Sequence, residues 1–254
     1  MSEGATEGAE LDAVFRPIQT EQNKITEFYR CVPVMSLPDG TFGDATEVLA
    51  EAKTPDEAWA KNKIILTKGM EALKTAIMRG LNTKLVLPIH AACPLNKRTA
   101  TEMIAFFKEY DAPLRKRIMV DIVGLPEDLT VNTMDDVTIP LMAVTDKMIA
   151  QCPKGMDDFK VFSNLNYMGM TLDLKNKDWE AGELSEMLDD FALNSRHWRL
   201  RPFITGVKTP SLLKAILDIT PYGVDGRSHG AGKPHVPTEW PLNGDMDLAF
   251  AEEG

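Results

Sequence analysis

A chain of 254 residues is long enough for one large α/β domain, and its 44% hydrophobic content supplies a core that argues against global disorder. A formal net charge of −10 repels phosphate backbones and anionic lipid, so nucleic acid and membrane surfaces are poor partners. With no basic, apolar start, no run of about 18 apolar residues and no CxxC among Cys31, Cys93 and Cys152, a cytoplasmic protein with reduced thiols is expected, without membrane insertion.

Residues 1–12 are small, polar and acidic, and read as a flexible tail. Segments 15–19 (FRPIQ) and 25–34 (ITEFYRCVPV) read as strands. The five residues between them are too few for a crossover helix, so the two form an antiparallel hairpin. Thr54, Pro55 and Glu57 supply the N-cap, first-turn proline and capping glutamate of a helix that runs to Arg79 and stops at Gly80. A strand at 84–90 (KLVLPIH), a helix at 99–110, a strand at 117–125 (RIMVDIVGL) and a helix at 139–152 follow. Next come strands at 158–165 (DFKVFSNL) and 168–174 (MGMTLDL), then an amphipathic helix at 180–194. Its acidic face (EAGELSEMLDD) reads as solvated. A strand at 202–207, a helix at 210–217 and a short strand near 222–225 complete the pattern. Residues 228–254 carry glycines, prolines and few aliphatics, and read as an irregular C-terminal extension.

Eight strands mostly spaced by helices, with near-continuous apolar runs in the middle ones, imply a sheet covered on both faces and closed on itself. The expected fold is an α/β, TIM-like (β/α)8 barrel over residues 13–227, atypical in that its first strand is antiparallel.

Several segments then resemble one family. Phe15-Arg16-Pro17-Ile18 resembles the Tyr-Gln-Pro-Ile of the EAL-domain cyclic di-GMP phosphodiesterases, and the segment around 25–33 sits where their Glu-Ala-Leu motif falls. LVLPIHA (85–91) is similar to the Asn-Leu-Ser strand, RIMVDIVG (117–124) to the Leu-Glu-Ile-Thr-Glu strand, and 203–226 to the closing Ala-Glu-Gly-Val-Glu-Thr helix and Gln-Gly strand. Glu71-Ala72-Leu73 spells the family name but lies mid-helix, and reads as helix surface and core.

The resemblance implies two metal ions held by carboxylates and an amide, activating a water that attacks a phosphodiester. Hard cations need several converging oxygens for this. Carried over residue by residue, the Glu-Ala-Leu glutamate falls at Tyr29, the asparagine at Pro88 and the next glutamate at Asp121. The paired aspartates match Asn164, or Asp157 and Asp158 if the strand begins later. The lysine falls at Thr171, with Asp173 matching the aspartate two residues on. The last two glutamates become Thr205 and Lys208. Arg16 replaces a ligand-contacting glutamine, Pro33 a phosphate-contacting arginine and Asp225 a late glutamine. Arg16, Asp121, Asn164, Asp173 and Asp225 are the candidate ligand contacts, with no metal and no cofactor expected.

The resemblance therefore implies a catalytically inactive EAL-like protein, a regulatory or scaffolding module in bacterial signalling whose partner is another signalling protein, with homodimerisation also open. The alternative is an effector that binds cyclic di-GMP or another nucleotide without cleaving it. A third reading is a different chemistry built on His90, Asp121 and Cys93 at the strand ends, where barrels place function. The remaining histidines, His197, His229 and His235, show no metal-ligand spacing.

Overall fold

The computed structural model describes residues 10–19, 28–38, 40–45, 48–49, 52–175 and 177–226. The predicted hairpin loop at 20–24, most of the expected N-terminal tail, and the C-terminal extension with His229 and His235 lie outside the described residues.

The chain opens with β1 (Glu10–Pro17), which pairs antiparallel with β2 (Phe28–Ser36) as expected. β1 starts inside the predicted tail, because Glu10 to Asp12 continue the ladder opposite Ser36 to Val34. β3 (Phe42–Asp44), missed in the sequence, folds back antiparallel onto β2 and stays outside the barrel path. Helix α1 (Pro55–Met78) begins where its capping signals put it: Thr54 Oγ1 accepts from Glu57 N at 3.2 Å, and the Glu57 carboxylate accepts from Lys53 N at 3.0 Å. Glu71 and Leu73 lie inside this helix, exposed and buried respectively.

Next come β4 (Lys84–His90), α2 (Ala92–Leu95), α3 (Lys97–Lys108), α4 (Ala112–Arg115), β5 (Ile118–Val123) and α5 (Val131–Met142). The chain continues through β6 (Met148–Gln151), α6 (Lys160–Asn164), β7 (Gly169–Asp173) and α7 (Ala181–His197), and ends with β8 (Arg201–Thr205), α8 (Pro210–Leu217) and β9 (Gly223–Val224). Strand order is β1-β2-β4-β5-β6-β7-β8-β9, parallel from β2 onward. Gln19 bridges back to Val224 through two 2.9 Å backbone bonds and brings the last strand to the first. The TIM-like barrel with an antiparallel opening hairpin is present.

Two predicted elements are corrected. The helix expected at 139–152 is instead α5 followed by β6, divided by a turn at Thr145, whose hydroxyl accepts from Lys147 N at 3.1 Å. The strand expected at 158–165 contains α6: Asp158 caps Lys160 N at 2.9 Å, and Phe159 and Phe162 reach the core three residues apart. Alternating DFKVF imitates a strand, but both phenylalanines face one side.

Pro88 sits inside β4, where its missing N–H would leave the strand short of a bond. Asn62, fully buried on α1, supports the strand there: its amide donates to Pro88 O at 2.8 Å and accepts from His90 N at 2.9 Å. Inside the barrel, Phe203 needs space that only glycine leaves. A Cβ on Gly169 would lie 2.2 Å from Arg201 O and 2.9 Å from the Phe203 ring. Gly169→Ala is expected to cost about 1–3 kcal/mol through overpacking against backbone that cannot yield. Gly182→Ala, whose Cβ meets nothing within 4 Å on α7, should be neutral or stabilising. Thermal denaturation of the two variants checks the contrast, and equal melting temperatures would contradict it.

Candidate functional site

Strand alternation decides which side chains reach the barrel interior. Ile18, Val86, Met119, Ile149 and Phe203 form one apolar layer there. Two residues further along the strands, toward their C-terminal ends, the inward positions become Pro88 on β4, Asp121 on β5, Gln151 on β6 and Thr205 on β8. Thr171 on β7 and Asp225 just after β9 join them. The antiparallel hairpin contributes Arg16 and Arg30, which are register partners. This polar level floors a cavity of about 970 Å³ at the C-terminal ends of the parallel strands.

Arg30 is the centre of the floor, its side chain only 10% exposed. Its Nε donates to Asp225 Oδ2 at 2.6 Å, and its Nη1 donates to Asp121 Oδ2. Thr171 Oγ1 donates to both Asp121 oxygens at 3.3 Å. Burial works against the Arg30 charge, but Asp225 and Asp121 together hold the guanidinium protonated, above its ordinary range. Burial also pushes the Asp121 carboxyl above its ordinary range, against the pull of Arg30. Asp173, one level higher on β7, accepts from Lys175 N at 2.8 Å and Gln151 Nε2 at 3.2 Å, and burial raises its carboxyl too.

Arg16, Pro88, Asp121, Thr171, Asp173, Thr205 and Asp225 thus meet at one cavity. Tyr29, Lys208 and Asn164 do not, and of the alternative pair Asp157 lines the cavity while Asp158 does not. Tyr29 is buried in the main hydrophobic core and does not line the cavity, and the inward residue of β2 is its neighbour Arg30. Lys208 is exposed and pairs with Asp178 at 2.6 Å. Asn164 lies on α6 and does not line the cavity; the strand after Asp121's is β6, whose end presents Gln151 and Cys152 to the cavity.

The trio His90, Asp121 and Cys93 is not assembled for catalysis. Asp121 is engaged by Arg30 and Thr171, and Cys93, with a thiol pushed up to about 12 by burial, donates to Asn62 Oδ1 at 3.4 Å. His90 Nδ1 accepts from Ala92 N at 3.1 Å, and its Nε2 lies against Gly124, where an added Cβ would be 2.3 Å away. Neither His90 nor Cys93 lines the cavity.

Sequence reading missed three contributors. Arg30 was hidden by a one-residue register error, Gln151 by the false helix at 139–152, and the α7 wall by its acidity. Glu183, Glu186 and Asp190, read as a merely solvated face, line one side of the cavity.

The floor does not suit a pair of divalent cations. Such ions need several free oxygens, and here Asp121 and Asp225 both bind Arg30 while Pro88 offers no side-chain donor. Among the described residues no cluster of His, Cys, Asp and Glu suits a metal ion, and no helix is long and apolar enough to cross a membrane.

Removing Arg30 tests this electrostatic assignment. A carboxyl whose folded-state pKa is raised binds more protons folded than unfolded, so its penalty grows as pH rises above the ordinary carboxylate range. Arg30→Met leaves two buried carboxylates without their partner, and should lose about 3–5 kcal/mol at neutral pH. That loss should shrink as the pH is lowered and Asp121, whose carboxyl burial holds above its ordinary range, takes up a proton. Adding Asp121→Asn and Asp225→Asn should restore most of it at neutral pH. Chemical denaturation across pH measures this, and a small or pH-independent loss would refute the assignment.

No protein-family model and no curated protein matches the sequence. Solved structures do match. The EAL domain of FimX from Pseudomonas aeruginosa, bound to c-di-GMP, is 13% identical with a TM-score of 0.65, covering 90% of this chain and 93% of that one. The PaMucR phosphodiesterase in complex with c-di-GMP is 10% identical with a TM-score of 0.72, covering 88% and 92%. The Bacillus subtilis YkuI protein, with an EAL domain in complex with c-di-GMP and calcium, is 11% identical with a TM-score of 0.69; this chain covers 59% of its length. The chain has the fold of the EAL domains.

Proposed function

We propose that this protein is an EAL-fold module that does not hydrolyse cyclic di-GMP and acts in bacterial signalling by binding another protein. The observation that carries the reading is the Arg30 guanidinium, held between Asp121 and Asp225 where the strand ends converge. It supplies one fixed positive charge, but it offers no exchangeable coordination site and activates no water. The two carboxylates nearest the centre are already engaged by it. Gln151, Thr171 and Thr205 supply neutral oxygens at the other inward positions, and neutral ligands are weak compensation for lost carboxylates around hard cations.

One observation favours a second reading, a non-hydrolysing nucleotide effector. A cavity of about 970 Å³ is ample for a nucleotide-sized ligand, and Arg16 and Arg30 lie at its floor. The FimX EAL domain and PaMucR hold c-di-GMP in their structures. Charge opposes this reading, since eight acidic residues and four basic ones line the cavity, and a ligand with two phosphates gains little from such a surface.

Incubation with cyclic di-GMP and magnesium or manganese is expected to leave the dinucleotide intact; measurable conversion to a linear product would sink the non-hydrolytic reading. Calorimetric titration with cyclic di-GMP separates the other two. Absence of heat at high micromolar ligand supports the protein-binding module. Saturable heat without turnover selects the effector.

A further inference from the structure

The two ends of the barrel carry opposite charge. The segments that lead from each helix into the next strand, residues 79–84, 109–117, 143–147, 165–168, 198–201 and 218–222, hold eight lysines and arginines against four acids. The segments that leave each strand from β4 onward, residues 91–96, 124–130, 152–159, 174–180, 206–209 and 225–226, hold seven acids against four lysines. The first set lies at the N-terminal ends of the parallel strands and the second at the cavity end. In a chain of net charge −10, the base-rich end is a local reversal.

Part of this pattern suits the helix ends, because cations favour C-termini and acids favour N-termini. Arg117, Lys147 and Arg201 go beyond it, since they stand at the starts of β5, β6 and β8, past the last turns of their helices. Their partners are uncharged. Arg117 Nη1 donates to Asn82 Oδ1 at 2.9 Å, Lys147 Nζ donates to Lys116 O at 2.8 Å, and the Arg201 guanidinium lies 4.4 Å from the centre of the Tyr222 ring. Among the described residues none of the three pairs with a carboxylate. Half-buried Phe28, Met168 and Tyr222, which pack against the apolar layer of the barrel, share this end with them. Aromatic rings and methionine beside arginine are the side chains in which protein interfaces are enriched.

A complementary surface exists on the same molecule. At the cavity end, exposed Glu127, Glu183, Glu186 and Asp190 outnumber Lys154 and Lys175, and the lining beneath them includes Met187 and Phe191. We propose that the strand-start end of one molecule docks on the acidic cavity rim of a second copy, so that copies stack head to tail. A net charge of −10 on each chain makes approach through the acidic surfaces repulsive, whereas this orientation sets a basic end on an acidic one. The two surfaces lie at opposite ends of the barrel, so the contact is heterologous and each added copy leaves an end open for the next. Exposed charge pairs are individually weak and screened by salt, so stacking depends on concentration and is strongest at low ionic strength. A stacked neighbour covers the cavity mouth, and any other ligand of the cavity competes with it. The inference does not rest on the non-hydrolytic reading, because it is measured without nucleotide and either can fail alone.

Sedimentation velocity of the full chain over a range of protein concentrations, at low and at high salt, tests it. The expected result is an average mass that rises with concentration at low salt, passes the dimer without a plateau and returns to the monomer at high salt. A monomer at every concentration would overturn the proposal, and so would a closed dimer or an association indifferent to salt. Two charge-reversed variants locate the contact. The Arg117→Glu, Lys147→Glu, Arg201→Glu variant and the Glu183→Lys, Glu186→Lys, Asp190→Lys variant should each remain monomeric alone and associate when mixed. Both keep a negative net charge, so a general attraction does not bring them together. Variants that associate like the unmodified chain, or a mixture that stays monomeric, would also overturn it.

Discussion

The structure depends on a charge buried in the middle of its barrel. Arg30 projects inward from β2, and taking a guanidinium out of water is expensive unless its donors are met. Asp121 and Asp225 meet two of them from opposite sides of the interior, β5 and the end of β9. These are residues 91 and 195 positions away in sequence, so one side chain ties the opening hairpin to the middle and the end of the chain. The closing backbone contact, Gln19 to Val224, lies one residue from Asp225. The ion triad and the closing bridge therefore reinforce the same seam.

That constraint also explains the layering inside the barrel. Below the triad the interior is apolar, with Phe203 accommodated by Gly169 and Gly223. Above it the interior opens into the cavity. A fully apolar layer at the level of Arg30 would leave its charge unpaired, and a layer richer in acids would leave carboxylates unpaired. Arg16, the register partner of Arg30, brings this level to two arginines and two aspartates. The count is what a sealed, low-dielectric floor tolerates. An arginine at this point differs from a metal ion in one decisive respect: its charge is covalently fixed and its donors are directional, so it can organise carboxylates but cannot exchange a ligand.

Much of the fold was legible because its signals are local. Thr54, Pro55 and Glu57 mark the start of α1, and KLVLPIH marks β4 to the residue. The failures share a different cause. Reading Tyr29 as the inward residue of β2 is a one-residue register error, and in a strand one residue exchanges the two faces. No local feature of FYRCVPV decides which face is inside, since Tyr29, Arg30, Cys31 and Val32 are all buried. Only the partners of Arg30, far away in sequence, decide it. The 139–165 region failed because MIAQ is a four-residue strand too short to announce itself, while FKVF alternates like a strand and folds as a helix. The cost fell on the candidate site, because Gln151 sits at the end of the missed strand.

The acidic face of α7 shows why charge patterning alone does not separate solvated surface from site wall. Glu183, Glu186 and Asp190 are exposed, as a solvated face should be, and they also line the cavity. The two descriptions coincide when a helix borders an open barrel end. Here the acids border a cavity whose floor aspartates, Asp121 and Asp225, are already engaged by Arg30. The lining as a whole holds eight acidic residues and four basic ones, an excess of negative charge. A fold whose solved neighbours FimX and PaMucR hold c-di-GMP carries, in this chain, an acidic rim around the cavity at its strand ends.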